Sequence, residues 1–424
     1  MGGIQADPMI IQHLAFILLL VGTQAFFTWL AIVNLRHSEG VVESEAEWLA
    51  KEFEIDDADE LLGYQRLGTG FAHLQAWIGL LILFLVLYSG VFTEVIAWVD
   101  GLDLGLIGEG VFVFVGLVVA ITLYSMPYDA IGTFVVDELF DFNQQTVILW
   151  IRDALVGITI SIVLVAIIAA AVMAFVMWLG WWWWVAGWAF VVLFSLAMNV
   201  IYPRVIAPLF NEFIPVQEGE LRDAVEEVFD RAGFECSQIY TMDASRRSSK
   251  VNAYFVGFGR TKRVVLFDTL VEKLDTEAIQ SVLAHELAHW KRKHIWKGLG
   301  SEALRLSVVF AILGYLVGAD WVYAMFDIDS SLTYAGIILA VVWVTPLVRW
   351  SSPLSNRVWL SFEREADAFA TEIMGSGEGL VTALTELTRE NLSNPFPHPW
   401  YEAFHYDHPP VPDRIRALRS DGES

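Results

Sequence analysis

SVLAHELAHW (residues 281–290) carries two histidines four positions apart, with a glutamate beside the first, and runs straight into the basic KRKH. On a helix this spacing puts His285 and His289 on one face, where both imidazoles reach a single metal ion. Zinc accepts such donors, keeps one coordination position open and acidifies water there. Glu286 faces that open position and is placed to take the proton, so that the water oxygen attacks a peptide carbonyl. The stretch reads as a zinc-peptidase helix. Its basic continuation keeps it out of the hydrocarbon layer, which argues against a protease whose HExxH lies inside an apolar span.

The chain around this helix is far from soluble in character. Of 424 residues, 56% are hydrophobic and 18% charged, and the mean hydropathy is +0.52. Runs of about 20 apolar residues predict membrane spans, here near 9–34, 71–98, 108–127, 154–179, 182–202, 303–325 and 333–350. Span one lacks the basic start and small-residue cleavage site of a signal peptide, so it reads as a retained helix. The run Trp181–Trp184 fits an interfacial aromatic belt. Ionisable groups in or near the spans, such as Glu94, Glu109 and Asp320, sit near span ends, which disfavours a transporter.

Lys and Arg fall on one side of these spans. Residues 1–12, 99–107 and 326–332 carry none, whereas Arg36, Lys51, Arg66, the segment 203–302 and Arg349, Arg357 and Arg364 supply them on the other side. The positive-inside rule then places the N-terminus outside and both soluble pieces in the cytoplasm. The chain divides into 1–202 (five spans and loops), 203–302 (the protease part), 303–350 (two spans) and 351–424 (a C-terminal cytoplasmic part).

The net charge is 26 − 50 = −24, much of it in residues 39–60, which reads as a solvated acidic face. Such a balance disfavours nucleic acid as a partner. The single cysteine, Cys236, excludes an internal disulfide and a cysteine-based zinc site.

In the protease part, 218–232 has helical periodicity, 251–258 (VNAYFVGF) and 263–270 (RVVLFDTL) read as strands joined by a GRTK hairpin connection, and 276–294 reads as a helix capped by Thr276. A zinc peptidase needs a third protein ligand. SFEREADAFA (361–370) supplies Glu363 for it, with Asp367 one turn on, able to hydrogen-bond a ligating histidine or to act on the reacting groups. Asn252, Ala253 and Tyr254 are candidates for holding substrate as an added strand. In FHYDHPPVPDRIRAL (404–418), His408 and Arg414 are groups able to stabilise an oxyanion. His13, His37, His73, His294, His398 and His405 show no partner pattern.

These pieces resemble the CAAX prenyl protease 1 (Ste24-type) family of integral-membrane zinc metallopeptidases. The segments that carry the resemblance are MPYDAIGTFVVDELFDFNQQT (126–146), YPRVIAPLFNEFIPVQEGEL (202–221), SSKVNAYFVGFGRTKRVVLFDTL (248–270), HELAHW (285–290), EREADAFA (363–370) and HPPVPDRIRAL (408–418). The resemblance implies a mostly α membrane protein, with seven transmembrane helices enclosing a water-filled chamber and a cytoplasmic α+β protease unit. It implies one zinc ion per chain held by His285, His289 and Glu363, with Glu286 as general base and Asp367 as the residue often assigned as proton donor. His408 and Arg414 fall near the substrate carbonyl. The implied partners are membrane lipid and a protein or peptide substrate cut after a C-terminal prenylated cysteine. Lys250 and Val251 depart from the usual His-Ser, and the acidic bias resembles a prokaryotic, archaeal-like member. The nearest rival is a membrane quality-control protease of the HtpX type, which the five spans before HELAH disfavour. An inactive scaffold or lipid-binding homologue is disfavoured by the complete set of catalytic residue types.

Overall fold

The computed structural model describes residues 7–55, 58–234, 238–256 and 263–421. Cys236 and the GRTK connection lie outside them. Six stretches are long and apolar enough to cross a bilayer, and the longest, Val147–Leu209, breaks near Gly180. Gly180 has φ of 51°, which only glycine adopts at no steric cost. Seven helices result. The first five are α1 (Pro8–Ser44), α2 (Ala58–Tyr88), α3 (Gly105–Ile131), α4 (Val147–Leu179) and α5 (Trp183–Ile201).

After α5, the protease unit begins with strand β1 (Phe213–Pro215), helix α6 (Glu220–Arg231), and strands β2 (Ile239–Met242), β3 (Ala253–Val256) and β4 (Arg263–Phe267). Helix α7 (Thr276–Lys291) carries HELAH, and α8 (His294–Val317) and α9 (Thr333–Trp350) are the last two membrane-length helices. Helices α10 (Ser352–Met374), α11 (Glu378–Glu390), α12 (Pro399–His405) and α13 (Val411–Asp421) follow.

The membrane-length helices form a ring. Neighbours pack in the order α1, α2, α3, α4, α5, α8, α9 and back to α1, with α2 meeting α3 through its π-helical extension Gly132–Asp137. Their buried side chains gather at one end. Phe16 of α1, Leu87 of α2, Val113 of α3, Met173 of α4, Trp183 of α5, Leu316 of α8 and Tyr334 of α9 belong to one cluster at the end of the ring away from the protease unit. Much of the helix surface is otherwise exposed. Only 6% of the α2 window and 11% of the α3 and α4–α5 windows are buried, against 44% for α9. A packed seven-helix bundle buries a stripe on every helix. Here helix walls pack together at one end, where α9 also meets α3 across the ring, and much of their remaining surface is exposed.

The protease unit has a four-stranded sheet in the order β1-β2-β4-β3, in which β2 and β4 are parallel and the other pairs antiparallel. Strand β3 is at an edge. A single apolar core joins the sheet to α6, α7, α10, α11 and α13 through Val228, Leu266, Leu283, Leu287, Ala366, Leu384 and Ile415.

Several expected boundaries move. The second span ends at Tyr88 because Gly90 turns left-handed (φ 88°), and the chain restarts as the separate helix Val91–Asp100. The sixth span ends at Val317 instead of 325, with a short helix Asp320–Ala324 after it. The 263–270 strand stops at Phe267, because the Asp268 carboxylate accepts from the Ser245 and Thr269 amides and starts a helix, Asp268–Lys273. The cap of α7 is Asp275, whose carboxylate accepts from the Ala278 amide at 2.8 Å, rather than Thr276. That helix ends at Lys291, not at 294: Lys293 has φ of 60° and turns the chain into α8.

The acidic stretch 39–60 is more than a solvated face. Its Leu49 and Phe53 enter the protease core. Glu52 and Glu54 pair with Arg419 and Arg389 of the C-terminal helices at 2.6 and 2.7 Å.

Candidate metal centre

Helix α7 presents His285 and His289 on one face, as their spacing dictates. Helix α10 packs directly against α7 and brings Glu363 opposite them. His285 Nε2 and His289 Nε2 are 3.3 Å apart. Glu363 Oε2 lies 3.3 Å from the first and Glu363 Oε1 3.2 Å from the second. Donors bound tetrahedrally to zinc at its usual bond lengths stand about 3.3–3.5 Å from one another. The two imidazole nitrogens and the carboxylate therefore stand at separations close to those a bound zinc ion needs. Glu363 Oε2 is buried and makes no hydrogen bond of good geometry among the described residues, with only the ring nitrogens of His285 and His408 near it, at 3.3 and 3.5 Å. A buried carboxylate oxygen left in this way wants a cation. The residues fit a metal ion, and His285, His289 and Glu363 form the ligand-capable group found among the described residues.

Both histidines are oriented from behind. Asp367 Oδ1 lies 2.8 Å from His285 Nδ1. His294 Nδ1 lies 3.3 Å from His289 Nδ1, and His294 Nε2 lies 3.0 Å from Glu365 Oε2. Carboxylates behind the rings draw the proton to each Nδ1 and leave each Nε2 lone pair facing the metal position. His294 is fully buried and stacks on Phe362 with ring centres 4.4 Å apart. The sequence reading left His294 and Glu365 without a role. Their signal is the turn at Lys293, which folds His294 back against the preceding histidine.

Asp367 is engaged on both oxygens: Arg414 donates from Nη2 to Oδ1 at 2.6 Å and from Nε to Oδ2 at 2.8 Å. Arg414 is buried. It comes from α13, the most distant element in sequence. His408 sits on the open side, with Nε2 3.5 Å from Glu363 Oε2 and Nδ1 2.8 Å from Asp407 Oδ1. Glu286 is half-buried on the same helix as the two histidines and has no hydrogen bond or ion pair among the described residues. Asn252, Ala253 and Tyr254 occupy the start of the edge strand β3; Ala253 pairs with Leu266 and Tyr254 with Val265. Tyr254 packs edge-on against Phe267, and the Asn252 side chain accepts from the Ala253 amide.

The metal-free charge pattern has a measurable consequence. Burial opposes a charged His285 ring, but its hydrogen bonds to Asp367 and Glu363 outweigh burial and push its pKa up to about 9. Burial also opposes a charged Glu363, yet hydrogen bonds from both histidines hold it well below the usual carboxylate range. At pH 7 the metal-free centre thus holds a proton on His285 that a metal must displace. Metal affinity is expected to rise with pH up to about 9. Calorimetric titration in two buffers of different ionisation heat checks this. Release of about one proton per metal at pH 7 is expected, and no buffer dependence would contradict it.

A peptidase family M48 model matches residues 215–421. A second model, described as CAAX prenyl protease N-terminal with five membrane helices, matches residues 39–212. The chain is 37% identical over 304 residues to the CAAX prenyl protease 1 homolog of Oryza sativa subsp. japonica, covering 72% of this chain and 71% of that one. The chain belongs to the CAAX prenyl protease 1 family. Other members of this family stand at similar distances. The CAAX prenyl protease 1 of Saccharomyces cerevisiae is 34% identical over 323 residues, 72% of this chain and 71% of its own. The human homolog is 29% identical over 337 residues, 70% and 71% of the two chains. The crystal structure of S. mikatae Ste24p superposes with a TM-score of 0.86 at 27% identity, over 97% of this chain and 99% of that one. The chain is thus an integral membrane metallopeptidase.

Proposed function

We propose that the chain hydrolyses peptide bonds with one zinc ion held by His285, His289 and Glu363. Its preferred substrates are C-terminal, prenylated chains, cut after the modified cysteine. The observation that supports the metal assignment is the convergence of His285 Nε2, His289 Nε2 and the buried Glu363 carboxylate, whose nearest atoms stand 3.2–3.3 Å apart. Bound zinc would polarise the scissile carbonyl and acidify water at the open position.

The chain's own residues supply the rest. Glu286 accepts a proton on the free face of the helix and returns it to the leaving amine. His408 lies on that open side, and burial around its ring is outweighed by Asp407 and Glu363, so its pKa is raised. In its protonated form it donates to the developing oxyanion. Asp367 holds the tautomer of His285, and Arg414 balances the charge of Asp367. With both oxygens of Asp367 taken, a positioning role suits it better than that of proton donor. The edge of β3 offers main-chain groups to an extended substrate. The low burial of the spans and the likeness to Ste24p support a water-filled chamber over the metal. The basic loops support a cytoplasm-facing site with the N-terminus outside. The acidic surface fits no nucleic-acid partner.

The test is cleavage of a matched peptide pair, one farnesylated at its fourth-from-last cysteine and one not, with cut sites read by mass spectrometry. Release of the last three residues from the farnesylated peptide alone is expected. Equal, scattered cleavage of both would instead favour a quality-control protease.

A further inference from the structure

Arg349 lies in the last turn of α9, half-buried between α1, α2 and α12, and has no carboxylate within ion-pair distance among the described residues. Its Nη1 donates to Gln24 Oε1 at 3.1 Å, and its guanidinium carbon sits 3.9 Å from the centre of the Phe27 ring. A guanidinium has five N–H donors. One side-chain amide and one aromatic face leave most of them unused.

The groups around it are bases and neutral donors. Gln24 reaches His73 Nδ1 at 3.5 Å, and Thr28 Oγ1 lies 3.1 Å from the same nitrogen. Trp77 donates to Thr28 at 3.0 Å, and Trp350 donates to Thr23 at 3.1 Å. His405, at the end of α12, packs edge-on against Phe27. Burial, then the charge of Arg349 and the proximity of His73, push the His405 pKa down to about 4. Three bases from three different helices thus converge with no acid between them, in a chain whose net charge is −24.

A cavity of about 250 Å³ opens beside them, lined by Thr23, Gln24 and Arg349 at its polar part and by Leu20, Leu83 and Val342 among its apolar residues. An arginine in the last turn of a membrane helix reaches headgroup depth, and one with no carboxylate partner is free to meet an anion there. Basic pockets between membrane helices near the bilayer surface suit anionic headgroups.

We propose that this pocket binds the phosphate of one anionic phospholipid. The headgroup would be met by the free N–H groups of Arg349, and the first part of an acyl chain would lie along Leu20, Leu83 and Val342. Free phosphate shares the headgroup chemistry but gains nothing from the apolar wall. A soluble anion is therefore the weaker ligand. The inference does not depend on the substrate of the protease.

The test uses the full chain, delipidated in neutral detergent. It is titrated separately with dioleoyl phosphatidylglycerol, dioleoyl phosphatidylcholine and inorganic phosphate. Native mass spectrometry counts bound molecules, and a thermal melt follows stabilisation. One phosphatidylglycerol per chain is expected, held about tenfold more tightly than phosphatidylcholine. Arg349→Gln should weaken it by about fivefold to tenfold, and Arg349→Lys should retain part of the affinity. Leu83→Ala, on the apolar wall of the same cavity, serves if the arginine variants do not fold: it should weaken both lipids while leaving the phosphatidylglycerol preference in place, and unchanged binding of both would overturn the proposal. Equal affinity for the two lipids would overturn the proposal. So would a folded Arg349→Gln that binds phosphatidylglycerol as the wild type does, or inorganic phosphate stabilising as well as the lipid.

Discussion

Glu286→Gln is expected to abolish most peptide cleavage while leaving the metal in place. Glu286 sits next to His285 on α7, half-buried, and makes no hydrogen bond or ion pair among the described residues. Its charge favours the buried Arg414 only from a distance, so the isosteric amide should cost little stability. The three proposed ligands and the two carboxylates behind the histidines are untouched, so metal content should equal that of the wild type. What disappears is the group able to take and return a proton. Losing a positioned general base or acid typically costs 10²–10⁴-fold in rate. Turnover of the farnesylated peptide per metal-loaded chain measures it. A metal-replete variant that keeps a tenth or more of wild-type turnover would remove Glu286 from the mechanism. A variant that is dead but metal-free would make it a contributor to metal binding instead.

The parts of the chain that were legible in the sequence are those set by local period. Long apolar runs fix the spans because a bilayer admits little else. The four-residue spacings in HELAH and in Glu363–Asp367 fix which side chains share a helix face. What was not legible depends on single backbone positions or on distant partners. Gly90 and Lys293 both adopt positive φ, and each breaks a stretch that otherwise reads as continuous helix. The second of these breaks decides the site, because it carries His294 back to His289. Glu52 looks like one more solvated acid until Arg419, 367 residues later, is folded against it. The setting of Arg349 was hidden for a similar reason. Arg349 and His405 are each the only base on their helix, and His73 stands two turns beyond Arg66 on its own. Only the closure of α9 onto α1 and α2 collects them.

Arg414→Ala is expected to damage both the fold of the protease unit and its hold on metal. Arg414 and Asp367 are buried and joined by two short hydrogen bonds. Removing the cation strands a carboxylate in a site that water reaches poorly. Breaking a buried pair from one side costs about 3–5 kcal/mol. The second effect runs through His285. Arg414 Nη2 lies 3.4 Å from His285 Nδ1, and its charge holds the pKa of that ring down against the pull of Asp367. Without it, the charged imidazole gains and its pKa rises further. Because metal must displace that proton, uptake shifts to higher pH and affinity at pH 7 falls by about 10–100-fold, the usual cost of a lost outer partner. Adding Asp367→Asn to the same chain removes the stranded charge and should recover part of the stability. Arg414→Lys separates charge from geometry: it keeps the cation but not the fork that meets both carboxylate oxygens. Chemical denaturation and metal titration across pH read all three variants. If Arg414→Ala kept both stability and metal affinity and lost only turnover, the guanidinium would act on the substrate carbonyl itself. In that case Asp367 would need another explanation for its two committed oxygens.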